Sequence, residues 1–243
     1  MRTKVELGRP QLERGADQTL SARKPRVDAK RNRDLLVNAG KAVFAESGGD
    51  ASLEEIARRA GVGIGTLYRH FPTRDAMIEA VYCREVEYLV NWASRLEGLS
   101  APGEALYQWM QIFVDYIATK KVLASALCST IPGASELAVS SGVQILEAMT
   151  LLVDRAVASG DIRSDVMPGD LLRALAGFTH GGMGPNWEPS ARRLIDLLMD
   201  GVRTPGTKGG FQESKRNPVK AAKAAHVRNI SYGSRNKSLD SKA

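Results

Sequence analysis

Between Ser52 and Arg74 the chain gathers side chains suited to gripping an anion and reading a hydrogen-bonding surface. Thr66 and Tyr68 supply hydroxyls, His70 an imidazole and Arg69 a guanidinium, with Ser52 and Arg74 at either end. Hydroxyl, imidazole and guanidinium groups contact phosphates, and an arginine pairs bidentately with guanine in the major groove of DNA. Ile64 and Gly65, just ahead of that group, offer only apolar contact. No comparable case exists for catalysis. The chain has no HExxH, no paired metal-ligand spacing, no GxGxxG and no Ser-His-Asp or Cys-His arrangement that sequence suggests. Cys83 and Cys128 form neither a metal-type spacing nor a disulfide framework. The expectation is a protein that is not an enzyme, with no catalytic residue, metal or cofactor.

The elements that must position these residues are helical. Ser52-Leu53-Glu54-Glu55 reads as a capping box: the Ser52 hydroxyl accepts from the Glu55 amide while the Glu55 side chain reaches back to the Ser52 amide. Leu53, Ile56, Ala57 and Ala60 then fall on one helical face, and Gly61 supplies the left-handed residue that ends the helix. After the Gly61-Val62-Gly63 turn, Leu67 and Phe71 face inward on a short helix, which turns Thr66, Tyr68, Arg69 and His70 outward. Two short helices crossing through a glycine-containing turn make a helix-turn-helix, whose second helix enters the major groove. Capped short helices with a glycine turn also occur in helical proteins of many other kinds, so the pattern alone leaves plain packing open.

The rest of the pattern is all-α, without a convincing alternating strand. A first helix is expected over 30–47 with Leu35, Leu36, Ala39, Val43 and Phe44 as its stripe, and a long one from Pro72-Thr73 to Leu96. Gly98 to Gly103 break the chain. Further helices are expected near 103–120, 121–129, 135–159, 168–180 and 189–202. The chain is 243 residues long, with 43% hydrophobic and 25% charged residues, the composition of an ordinary globular protein. No secretory leader and no apolar run of bilayer length is expected, which points to a reducing cytoplasm and to no membrane.

Charge is divided unevenly. The net +7 comes from the ends: 10 basic against 4 acidic residues over 1–33, and 9 against 2 over 204–243, which leaves the middle at −6. Basic ends attract phosphate backbones without sequence preference, and are equally often mere solvated tails. A non-specific nucleic-acid-coating protein driven by these tails is therefore a competing reading.

The run Leu53-Glu54-Glu55-Ile56-Ala57 through Ala60-Gly61-Val62-Gly63-Ile64-Gly65-Thr66-Leu67-Tyr68-Arg69-His70-Phe71-Pro72-Thr73-Arg74-Asp75-Ala76 closely resembles the DNA-binding domain of the TetR family of bacterial regulators. The resemblance covers about residues 30–80. It implies a three-helix DNA-binding domain followed by a larger helical ligand-binding and dimerisation domain. The organisation expected is a flexible basic arm over 1–28, the DNA-binding domain over 29–80, the helical domain over 81–203 and a disordered basic tail over 204–243. By the resemblance, Thr66, Tyr68 and His70 hold the DNA backbone, Arg74 contacts phosphate, and Ile64, Gly65 and Arg69 face base edges. Ser52 belongs to the same surface. Lys30, Arg31 and Arg33, just before the first helix, could reach phosphates or a minor groove, or be a solvated basic stretch. Gly63 departs from the small polar residue that commonly caps the recognition helix, and Ile64 from a polar or basic one. Arg69 is thereby left as the direct base reader.

The resemblance further implies a ligand pocket and a dimer interface in the second half. Trp109, Phe113, Tyr116, Cys128, Met149, Phe178 and His180 are candidate pocket residues, though such a stripe is more often plain core. The segment Gly181 to Trp187 could cover a pocket or merely connect helices. Leu171, Leu172, Leu175 and Phe178, with Leu194, Ile195, Leu198 and Met199, would form the four-helix pairing with a second copy. The partners expected are a palindromic operator in double-stranded DNA, a second copy of the chain and a small-molecule effector, and the activity expected is that of a ligand-released repressor.

Overall fold

Among the described residues the helical periodicity resolves into eight helices. The structure, a computed structural model, describes residues 23–48, 51–129, 134–180 and 187–205, with the side chains of 23–26, 125–129, 134, 135 and 180 outside the description. In order these are α1 (Arg23–Ser47), α2 (Leu53–Ala60), α3 (Ile64–His70), α4 (Arg74–Glu97), α5 (Pro102–Ser129), α6 (Ala134–Ala158), α7 (Pro168–His180) and α8 (Trp187–Val202). Among the described residues the one extended pairing is an antiparallel bridge between Ile162 and Arg203.

Two boundaries differ from expectation. Helix α1 begins at Arg23 rather than Lys30, so residues 23–28 of the expected arm are helical. Pro25 is no obstacle there, because first-turn amides have no helical partner to lose. Helix α5 runs unbroken from Pro102 to Ser129, where two helices meeting at 120–121 were expected. Along the continuous stretch the Thr119 hydroxyl donates to the Asp115 carbonyl at 3.4 Å and the Lys121 ammonium lies 3.9 Å over the Trp187 ring.

One hydrophobic core runs through the whole described chain. Leu36, Phe44, Ile56, Leu67, Phe71, Met77 and Ile78 fill its N-terminal part; Leu89, Leu106, Trp109, Met110, Met149 and Leu175 continue it. Helix α4 belongs to both parts. Its buried residues extend from Met77 to Leu96, so the core is continuous past residue 80. Asp34 pairs with Arg84, and the Lys41 ammonium reaches the largely buried Glu85 carboxylate at 2.6 Å, tying α1 to α4. On the other side the Trp109 indole donates to the Leu89 carbonyl at 2.9 Å, and the buried Tyr82 and Tyr116 hydroxyls share a hydrogen bond of 3.2 Å.

Helix α6 corrects one expectation. Over Glu136–Ala158 it is long enough, and with a mean hydropathy of 1.4 apolar enough, to cross a bilayer by composition. Ser140, Ser141 and Glu147 interrupt the run and hid it. One face of it, with Ile145, Met149, Leu152, Val153 and Ala156, is buried in a helical body where it contacts α4, α5 and α7, while Val139, Val143, Leu146 and Leu151 are exposed.

Candidate nucleic-acid interface

The α2–α3 unit is built from its caps inward. Ser52 is extended and its hydroxyl accepts from the Glu55 amide at 3.3 Å, the expected half of the capping box. The reciprocal half does not form. The Glu55 carboxylate turns along the helix instead, accepting from Arg58 and from Arg59 at 2.7 Å. Two charged guanidinium donors outcompete one neutral amide. Arg58 first, then Arg59, hold the Glu55 carboxyl down at about 2. Arg59 also grips Glu46 of α1 at 2.7 and 2.5 Å, so this charge cluster fixes α2 against α1.

Gly61 has φ +64, the left-handed value at which a β-carbon is strained. Its amide donates to the Arg58 carbonyl and that of Val62 to Ala57, the two-bond helix stop that turns the chain toward α3. Val62 packs half-buried on the core. Leu67 and Phe71, at 0% and 1% exposure, then seat α3 as the spacing predicts.

Everything else on α3 faces outward or part-way so. Tyr68, Arg69, Ile64 and Gly65 are exposed, while Thr66 and His70 are half-buried. Gly63 precedes the helix with no side-chain cap, in keeping with the departure seen in the sequence. The Arg69 side chain makes no hydrogen bond or ion pair among the described residues.

Three neighbours sit differently from what the sequence suggests. The Ser52 hydroxyl is engaged with Glu54 at 2.7 Å. That bond first, and the Tyr68 hydroxyl as a lesser contribution, lower the Glu54 carboxyl below its ordinary value. Arg33 is not merely a solvated basic residue: its guanidinium lies 4.7 Å over the Phe71 ring, beside α3. Arg74 is turned inward, its Nε and Nη2 buried without a hydrogen-bond partner among the described residues. Lys30 is exposed on α1, in a shallow groove of about 550 Å³ with Val27, Arg31, Asp34, Leu35 and Asn38. No local signal foretells Glu54 or the Arg33 stack, because neither arises from helical periodicity.

The pocket candidates occupy the core. Trp109, Phe113 and Tyr116 are buried one turn apart, with ring centres 6.0 and 5.6 Å apart along the row. Burial first, and the Tyr82 hydrogen bond second, push the Tyr116 phenol up. Met149 is fully buried on α6 and Phe178 half-buried on α7. Cys128 and His180 are on α5 and α7, with side chains outside the described residues, as are residues 181–186 of the segment before Trp187. Sequence reasoning missed the polar pins on the same core. Arg192 of α8 donates to the Gln111 carbonyl at 3.1 Å and to Asp115 at 2.7 Å, and Tyr107 donates to Asp196 at 2.9 Å. These partners are remote in sequence and carry no local pattern.

Residues 36–81 match the model of the bacterial regulatory proteins, tetR family. Residues 101–204 match the model of the transcriptional regulator SbtR-like C-terminal domain. Among solved structures, a TetR transcriptional regulator from Streptomyces coelicolor is 42% identical, with 72% of this chain and 99% of that one covered and a TM-score of 0.63. A TetR transcription regulatory protein from Mycobacterium vanbaalenii is 32% identical, covering 74% and 99% of the two chains, again with a TM-score of 0.63. An HTH-type transcriptional regulator of Staphylococcus aureus is 28% identical over 153 residues, 62% of this chain and 81% of that protein. A capped, core-seated helix-turn-helix on an all-α body, with relatives of this likeness over nearly their whole length, makes the chain a member of the TetR family of DNA-binding transcriptional regulators.

Proposed function

We propose that the chain is a cytoplasmic repressor that binds a palindromic operator as a dimer and leaves it when a small molecule occupies the helical body. The observation that carries this reading is the outer face of α3, where Tyr68 and the unpaired Arg69 stand in solvent on a helix locked by Leu67 and Phe71. A rigid helix with unspent hydrogen-bonding groups suits a major groove. In this reading Arg69 pairs with a base edge, with Ile64 and Gly65 alongside it. Ser52, Thr66, Tyr68 and His70 hold the backbone. Arg74 swings outward, and its two partnerless nitrogens find phosphate. Arg33, steadied on Phe71, and Lys30 add phosphate or minor-groove contacts.

One α3 offers few base contacts, and two-fold pairing supplies a second half-site. Helices α7 and α8 are the pairing surface in this reading. Leu171, Leu175, Ile195 and Met199 are committed to the chain's own core, whereas Leu172, Leu194 and Leu198 are half-exposed and Leu197 is 68% exposed. The effector is placed among Trp109, Phe113, Tyr116, Cys128, Met149, Phe178 and His180. It acts by preferring a body conformation in which the paired recognition helices no longer match the operator spacing.

Selection of a random duplex library at near-physiological salt tests this. The full chain is expected to enrich a palindrome with half-sites about one helical turn apart, and Tyr68→Ala to lose it. Equal, salt-sensitive binding by both proteins with no enriched sequence would remove α3 as the DNA surface.

A further inference from the structure

We infer that Ile64 reads the C5-methyl group of a pyrimidine at one position in each operator half-site. Ile64 is the first residue of α3, and its branched apolar side chain is 41% exposed, whereas Leu67 and Phe71 are fully buried and seat the helix. Its neighbours Gly63 and Gly65 carry no side chain, and a β-carbon added at either would meet nothing within 4 Å. The isoleucine is thus the one side chain at the entry of the recognition helix, with no side chain on the residue before or after it. One helical turn further, Tyr68 is also exposed at 44%, and Arg69 follows without a partner.

This inference rests on the operator reading above and says what chemistry that surface selects. N-terminal residues of a recognition helix reach base edges. Most edge features in the major groove are donors or acceptors, and an aliphatic branch laid against them strips their water and returns no hydrogen bond. The C5-methyl of thymine or 5-methylcytosine is the apolar exception. Ile64 therefore matches a methylated pyrimidine and penalises an unmethylated one, while Arg69 matches guanine. The flanking glycines leave the adjoining bases unread from this end of the helix.

The test replaces thymine with deoxyuridine, one symmetric pair at a time, across the selected operator, with affinity read by fluorescence anisotropy at fixed salt. One pair is expected to lower affinity about 15-fold, about fourfold per half-site, the worth of one buried methyl. Cytosine and 5-methylcytosine at that position are expected to differ in the same sense. Ile64→Ala is expected to bind the thymine and deoxyuridine operators equally, while still losing affinity when the guanine facing Arg69 is changed. A half-site without thymine, an operator indifferent to every deoxyuridine pair, or a loss undiminished in Ile64→Ala would each overturn the assignment to Ile64 and leave the operator reading standing. Failure to select any operator would overturn both.

Discussion

Helices α3 and α5 treat their chemistry in opposite ways. Helix α3 has seven residues and buries Leu67 alone, leaving an aromatic ring, a guanidinium and a branched apolar side chain in solvent. Helix α5 has 28 residues, and from Ala105 to Ile117 nearly every side chain is buried, polar ones included. What α5 carries is spent inside the chain: Trp109 on the Leu89 carbonyl, Tyr116 on Tyr82, Tyr107 on Asp196, Gln108 on Glu104. On α3 the Arg69 guanidinium is unspent, and the Tyr68 hydroxyl reaches only Glu54 beside it. Loss of a group on α5 should therefore appear as stability, and loss of a group on α3 as affinity for another molecule.

The contrast is broken most forcefully at Trp109. Trp109→Ala removes a fully buried indole and its hydrogen bond to the Leu89 carbonyl, and is expected to cost about 3–5 kcal/mol in urea unfolding. Retention of wild-type stability would mean that the core around α5 is not the packed one described. On the other side, Tyr68→Ala and Arg69→Ala are expected to change unfolding free energy by about 0.5 kcal/mol or less. Each nonetheless weakens operator binding, Arg69→Ala by about 1–3 kcal/mol with relaxed preference at one base. A matching loss of stability would make α3 a structural helix.

Tyr116→Phe sharpens the comparison within the core. It leaves the buried Tyr82 hydroxyl unpaired and is expected to cost about 1–2 kcal/mol, part of which the double change Tyr82→Phe with Tyr116→Phe restores. Additive losses in that cycle would show the two hydroxyls acting separately. The smallest effect is on pH. The Glu55 carboxyl is lowered from 4.5 to about 2 by Arg58 and Arg59, so its contribution to the folded state is complete above about pH 4.5 and fades as pH falls toward 2. Glu55→Gln should flatten that part of the acid-unfolding curve and leave operator binding near neutrality little changed.

Local chemistry was legible; long-range pairing was not. Ser52, Gly61 and the Leu67–Phe71 spacing foretold α2, the turn and α3, because each acts within a few residues of itself. The outward face of α3 followed by elimination once its inward residues were known. The inward turn of Arg74, the Arg33 stack on Phe71 and the Arg192–Asp115 pair depend on which helices meet, and the sequence carries no periodic trace of that. The continuity of α5 past Lys120 was hidden as well, and the Lys121 contact with Trp187 of α8 is remote in sequence. Half the capping box was misread because Arg58 and Arg59 lie close enough to draw Glu55 away.

Helix α4 has a mechanical consequence. Its 24 residues contain neither glycine nor proline, the usual sites of a sharp bend, so it turns as a stiff rod about 36 Å long. Pivoted at its Glu97 end, a tilt of about 5° carries the Arg74 end through about 3 Å, close to the 3.4 Å rise between successive base pairs. Because α1 and α5 are pinned to this rod, the ligand response proposed above would need only a slight tilt of α4 to displace α3 by one rung on the DNA ladder.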